Sequence, residues 1–134
     1  MENIVDMAEN VIKSIRKPSK NNPNEFFIGL KISQLRKILS AINVLKNKVD
    51  IYKINNPSSN KLSTDLAMEV KFLRVNIAYQ AGREKEPKQV QPFVEKANLL
   101  TMIDNIKDDI KSFEVFCKYV EALVAFHKFY GGKD

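Results

Sequence analysis

Cys117 and His127 are the only cysteine and histidine in the chain, and they are the one pair whose chemistry could be that of a nucleophile and a base. If both lie on one helix, their ten-residue separation amounts to about 15 Å, which rules out a hydrogen bond between them. Cys117 is therefore expected as a small core hydrophobe. One Cys and one His, with neither HExxH nor CxxC spacing, make no metal site. Asp104, Asp108 and Asp109 form an acidic cluster that could suggest Mg²⁺, but it reads better as a solvated turn between helices with Asp109 near an N-cap. Gly82, in Ala81-Gly82-Arg83-Glu84-Lys85, lacks the spacing of a phosphate-cradling loop and suits a helix end. The expectation is a protein that is not an enzyme, with no catalytic residues, no metal and no cofactor.

Basic side chains remain. The sequence of 134 residues carries a formal charge of +6, and its pI is near 9.4, a balance that favours polyanionic partners such as nucleic acid or an anionic membrane surface. Only Arg16, Arg36, Arg74 and Arg83 are arginine; every other basic residue is lysine. Lysine acts as a point charge on phosphate, whereas arginine suits bidentate reading of guanine edges, so the composition points to backbone affinity more than base readout. The candidate positions are Arg36 and Lys37, Lys71 and Arg74, Arg83 and Lys85, then Lys118, Lys128 and Lys133. Lys71 and Arg74, three apart, share one helix face. The bland alternative for each is an ordinary solvated charge.

The elements that must carry these residues are helical. A hydrophobic fraction of 44% is enough to bury a core. Proline and glycine cluster at residues 18–23, 56–59, 82–87 and 131–132, with helical periodicity between. A first helix spans 1–16, through Ile4, Val5, Ala8, Val11, Ile12 and Ile15. A loop over 17–31 follows, whose Phe26-Phe27-Ile28 tucks onto the bundle; no segment alternates like a strand. A second helix is capped by Ser33 and buries Leu35, Ile38, Leu39, Ile42, Leu45, Val49 and Tyr52, leaving a wet back that includes Arg36 and Lys37 and gains Lys46, Lys48 and Lys53. A third, capped by Ser63 or Thr64 with Asp65 in its first turn, has one stripe of Leu66, Val70, Leu73 and Ile77. Met68, Phe72, Val75 and Tyr79 fill another side, which places that helix in the middle of the bundle. A fourth runs over 88–107 with Pro92 in its first turn, and a fifth over 110–130, ended by Gly131-Gly132. The fold class is thus all-α, a compact bundle of about five helices with a longer loop after the first. It is read as one domain over 1–134, with a helical core at 32–130 and a tail at 131–134. The surplus aromatics Tyr79, Phe129 and Tyr130 are expected to complete the core, the alternative being a surface on which copies stack. A lone cysteine, no opening signal segment and no apolar run near the roughly 20 residues of a membrane span suggest a soluble protein of the reducing cytoplasm.

Three segments resemble one family. Phe116-Cys117-Lys118-Tyr119-Val120-Glu121-Ala122-Leu123-Val124-Ala125-Phe126-His127-Lys128-Phe129-Tyr130-Gly131-Gly132 closely resembles the C-terminal signature of the small subunit of type III-A CRISPR effector complexes. Ser33-Gln34-Leu35-Arg36-Lys37-Ile38-Leu39 and Leu73-Arg74-Val75-Asn76-Ile77-Ala78-Tyr79-Gln80-Ala81-Gly82-Arg83 agree with the same family, in family order. The likeness covers the chain from Ile32 onward; nothing is carried onto the first helix or the Asn/Pro loop. It implies a helical bundle that binds RNA without cutting it, stacked head to tail with other copies as an inner filament beside guide RNA and target RNA. Backbone subunits and a large polymerase-like subunit would flank that filament. It also implies phosphate contacts from Arg36, Arg74, Arg83 and Lys128, and from Lys37, Lys71 and Lys118. Such a filament must ignore sequence, which suits lysine-weighted phosphate contacts, with base pairing supplying specificity. Two alternatives stand beside it. In a free helical DNA-binding regulator, a recognition helix would show an Arg-, Asn- and Gln-rich face after a short turn; the third helix is too apolar for that and the second follows a long loop. A protein-only helical adaptor would leave the basic bias unused.

Overall fold

The computed structural model describes residues 3–22 and 24–132, so the predicted helix start at Met1 and the end of the tail, with Lys133, lie outside the described residues. Helix α1 (Ile4–Ile15) begins because the Asn3 side chain accepts hydrogen bonds from the backbone N–H groups of Val5, at 2.8 Å, and Asp6. It ends where Arg16 turns extended, two residues before Pro18. Strand β1 (Arg16–Pro18) then pairs antiparallel with β2 (Phe26–Ile28), Arg16 opposite Ile28 and Pro18 opposite Phe26. This corrects the reading of the segment as plain loop. Phe26-Phe27-Ile28 is β-prone, Pro18 sits at the ladder's end where its missing donor costs least, and Ser19 N–H closes the hairpin onto Glu25 O at 2.8 Å.

Helix α2 (Ile32–Asn55) starts one residue before the predicted Ser33 cap. The Gln34 side chain reaches back to accept from Lys31 N–H at 2.9 Å, which fixes the earlier start. Helix α3 (Thr64–Gly82) is capped as expected, Leu66 N–H donating to Ser63 Oγ at 3.2 Å, and Gly82 is its last residue. The predicted single helix over 88–107 is two, α4 (Val90–Ala97) and α5 (Leu99–Ile106), broken at Asn98. Asn98 has φ 59°, a left-handed conformation that asparagine tolerates better than most residues. Pro92 sits in the first turn of α4, where a missing N–H costs nothing. Helix α6 (Ile110–Phe129) is capped by Asp109, whose carboxylate accepts from Ser112 N–H at 2.9 Å and Ser112 Oγ at 2.7 Å, and it stops at Gly131, φ 94°. None of the described helices is long and apolar enough to cross a membrane.

In the core, α6 packs on α1 and α2, while α3 packs on α2 and α5. Phe93, Phe113, Phe116 and Tyr119 are its largest buried side chains, and the Tyr119 hydroxyl donates to Ala97 O at 3.0 Å. Leu66, Val70, Leu73 and Ile77 are buried, as the periodicity predicts. The second apolar side of α3 is not: Met68, Phe72, Val75 and Tyr79 are 52–63% exposed, so α3 is a surface helix rather than a central one. Apolar residues around the whole circumference signal burial only where another element covers each side, and α2, α4 and α5 all meet α3 on its Leu66–Ile77 side or flanks. Phe129 is 76% exposed and does not complete the core, whereas Tyr130 is partly buried and packs against it.

Candidate nucleic-acid interface

The seven basic residues to which the resemblance gives phosphate contacts are all exposed. The fold gathers them unevenly. Lys37 on α2 and Arg83 after α3 line one cleft with Gln34, Gln80, Glu84 and Lys85. Lys71 and Arg74, one turn apart on α3, line another with Val75, Ala78 and Asp104. There Arg74 Nη1 lies 3.1 Å from the Asp104 carboxylate, and both groups are about half exposed, so the pair orients the guanidinium without holding it rigidly. The Arg83 guanidinium sits over the Tyr79 ring at 5.7 Å, a contact that leaves its N–H groups free for another acceptor. Arg36 is exposed on α2, while Lys118 and Lys128 project from α6 and line neither cleft.

Ion pairing sorts the α2 lysines in a way that periodicity does not. Lys46 pairs with Asp50 at 3.3 Å, Lys48 with Glu69 at 2.7 Å and Lys53 with Glu114 at 2.6 Å. The Glu114 carboxylate accordingly pushes the Lys53 amine upward from its ordinary value. The predicted basic back of this helix is thus largely balanced over its C-terminal half. Among the described residues, Arg36, Lys37, Lys71, Arg83, Lys118 and Lys128 make no ion pair within 4.0 Å. Of these six, Arg36 and Lys37 stand at the start of α2, Lys71 on α3 and Arg83 just after it, and Lys118 and Lys128 on α6.

The acidic cluster is dispersed into structural roles, Asp104 on Arg74 and Asp109 on the α6 start, where the Ser112 hydrogen bonds hold its carboxyl below the usual range. Cys117 is buried, and burial pushes its thiol up to about 12, far from a nucleophile's range. His127 is fully buried, and its Nε2 is 2.6 Å from Leu30 O. A carbonyl only accepts, so Nε2 carries the proton and Nδ1, buried without a partner, is the bare nitrogen. Burial first, and the nearby Lys128 charge, hold the imidazole below its ordinary pKa although the Leu30 bond opposes them. Sequence reasoning missed this role because Leu30 lies 97 residues away. It also passed over Arg16, whose guanidinium lies between the rings of Phe26, at 4.7 Å, and Tyr130, at 5.1 Å.

The family model described as Csm2 Type III-A matches residues 1–133. The chain belongs to this family. Its relatives include the CRISPR system Cms protein Csm2 of Streptococcus thermophilus, 40% identical over 133 residues that span 99% of this chain and 95% of the relative. Proteins of the same name from Enterococcus italicus and Mycobacterium tuberculosis are 34% and 35% identical, over 94% and 99% of this chain and 88% and 95% of their own lengths. Membership therefore extends over α1 and the hairpin, where the resemblance of individual segments is silent.

Proposed function

We propose that this chain is a non-catalytic, RNA-binding structural subunit of a type III-A CRISPR effector complex, one that touches the phosphates of guide RNA and target RNA without reading sequence. The observation that supports it best is the exposed, unpaired charge of Arg36, Lys37, Lys71 and Arg83, set in and beside two clefts along α3, in a member of the Csm2 family. Lysine and arginine heads on a helical surface contact phosphate and carry no base code. The exposed Met68, Phe72, Val75 and Tyr79 add support for assembly: an apolar stripe of this length on a surface helix suits a permanent neighbour, which we assign to a second copy stacked head to tail. Backbone subunits and the large subunit complete the assembly in this reading, which places the protein in the cytoplasm as a single helical domain over 1–134.

The test is equilibrium binding of single-stranded RNAs of unrelated sequence across a salt series. Affinities agreeing between sequences and falling with salt by a slope of about 0.7 per phosphate contact are expected. Arg36→Ala and Arg74→Ala each lower affinity and slope while melting within about 0.5 kcal/mol of the parent. Strong preference for one sequence, or binding that survives high salt, contradicts the proposal.

A further inference from the structure

A head-to-tail contact joins two different surfaces of one molecule, and the stripe on α3 is only the first of them. Among the described residues outside α2 and α3, the exposed aromatic rings are Phe26, Phe27 and Phe129, at 52, 46 and 76%, and they gather at one corner. Phe26 lies on the Arg16 guanidinium, Arg16 on the Tyr130 ring, and Tyr130 meets Phe129 edge to face at 5.0 Å. Successive residues of a strand point to its opposite faces, so a two-stranded ribbon with Phe26 and Phe27 both exposed carries a ring on either side. Such a ribbon is a wedge, not a wall. Tyr130 is tied to the Glu9 carboxylate, so Phe129 and Phe26 rest on groups already fixed and lose little freedom when a partner covers them.

The α2–α3 face offers the hollow. Ala41, Val44, Leu45, Phe72 and Leu73 line a groove of about 380 Å³, in which Val44 and Phe72 stay 59 and 61% exposed. It has no basic lining residue, unlike the clefts that hold Lys37, Lys71, Arg74 and Arg83, so it does not suit RNA. Its one charged lining residue is Glu69, whose pair with Lys48 is about half exposed and therefore weak enough to admit a second cation. The wedge supplies one: Lys17 stands opposite Phe27 in the ladder, on the same face. Areas agree too. At roughly 200 Å² for one aromatic side chain, the three rings leave about 350 Å² in water. Covering them with an equal area of groove and stripe removes about 700 Å² of apolar surface, the apolar share of a ~1,200 Å² interface, where specific contacts begin.

From these observations we infer that the aromatic wedge of one copy, formed by Phe26, Phe27 and Phe129, docks in the α2–α3 groove of the next and brings Lys17 to Glu69. The inference rests on the head-to-tail reading above and names the missing half of that contact. Groove and wedge lie on different elements, so each docking leaves one of each open and the stack can continue.

The test is sedimentation of the full chain over a concentration series. The parent should form a growing series of oligomers. Phe72→Ser in the groove, and Phe27→Ser or Phe129→Ser on the wedge, should each weaken self-association about tenfold at an unchanged melting temperature, because all three rings are exposed. An equal mixture of Phe72→Ser with either wedge variant retains one intact groove and one intact wedge, so it should associate as tightly as the parent and stop at a dimer. A mixture that stays monomeric overturns the docking. So do wedge variants that associate as the parent does: if they have lost RNA affinity, the rings stack on bases instead, and if Phe72→Ser alone abolishes association, α3 pairs with α3. A parent that is monomeric at every concentration overturns the head-to-tail reading together with this one, and leaves RNA binding standing.

Discussion

The α2–α3 face and the corner where α1, the hairpin and α6 meet handle their unusual residues in opposite ways. Along α3, Met68, Phe72, Val75 and Tyr79 stand in solvent and Arg74 pairs with Asp104, while Lys71 and Arg83 make no ion pair among the described residues; in the proposed assembly a second copy and RNA complete this face. At the corner, the polar side chains contact the fold itself, although Arg16 Nε and His127 Nδ1 have no hydrogen-bond partner among the described residues. His127 grips Leu30, Tyr130 donates to the Glu9 carboxylate, and Arg16 lies between rings. A residue's type does not tell which regime it serves; Phe72 and Phe113 differ only in whether something covers them. In the proposed assembly the first region is finished by partners, while the polar groups of the second hold the chain together.

The hardest blow to that contrast is at His127. His127→Ala leaves a cavity and an orphaned Leu30 carbonyl, and should cost about 2–4 kcal/mol in denaturant unfolding while RNA affinity per folded molecule stays unchanged. Gly132→Ala should act in the same direction, because a Cβ there runs into the His127 ring. Equal falls in RNA affinity and stability in these variants would erase the division of labour.

Acid supplies a milder version. The His127 imidazole titrates below its ordinary 6.5 in the fold, so the unfolded chain takes up the proton first. This contribution to stability is complete above about pH 6.5 and is lost as pH falls from there through the depressed folded value. Unfolding free energy measured between pH 7 and 5 should decline in the parent and decline less in His127→Gln. A flat parent profile would show that the ring is not buried neutral.

The smallest effect belongs to α3. Phe72→Ser removes an exposed ring, so stability should stay within about 0.5 kcal/mol while sedimentation shows weaker self-association. Marked destabilisation would mean that this stripe is core after all.

Much of the scaffold was legible because its signals are local. The Leu66, Val70, Leu73 and Ile77 stripe, the Ser63 cap and the Gly131 stop each follow from residues within a turn of one another. The break at Asn98 was not, since asparagine permits a left-handed residue without demanding one. The exposure of Arg36 and Arg74 followed from their helical phase. The neutralisation of Lys48 and Lys53 did not, because Glu69 and Glu114 stand 21 and 61 residues away and only packing brings them near. The contact of Arg16 with Phe26 and Tyr130 was out of reach for the same reason, since no spacing rule joins the end of α1 to the end of α6.

The packing of α1 on α6 also sets an order of events in time. These two helices share the most extensive interface in the molecule, yet residues 16–109 separate them along the chain. At synthesis rates of about 5–20 residues per second, α1 waits roughly 5–20 seconds after it is made before its partner exists. Through that interval its apolar face of Ala8 and Ile12 has no native cover, and the hairpin lacks the His127 bond that secures Leu30. The chain can close only once its last helix is complete, so a nascent chain stopped within α6 should remain a target for chaperones and proteases however well α2 and α3 have paired.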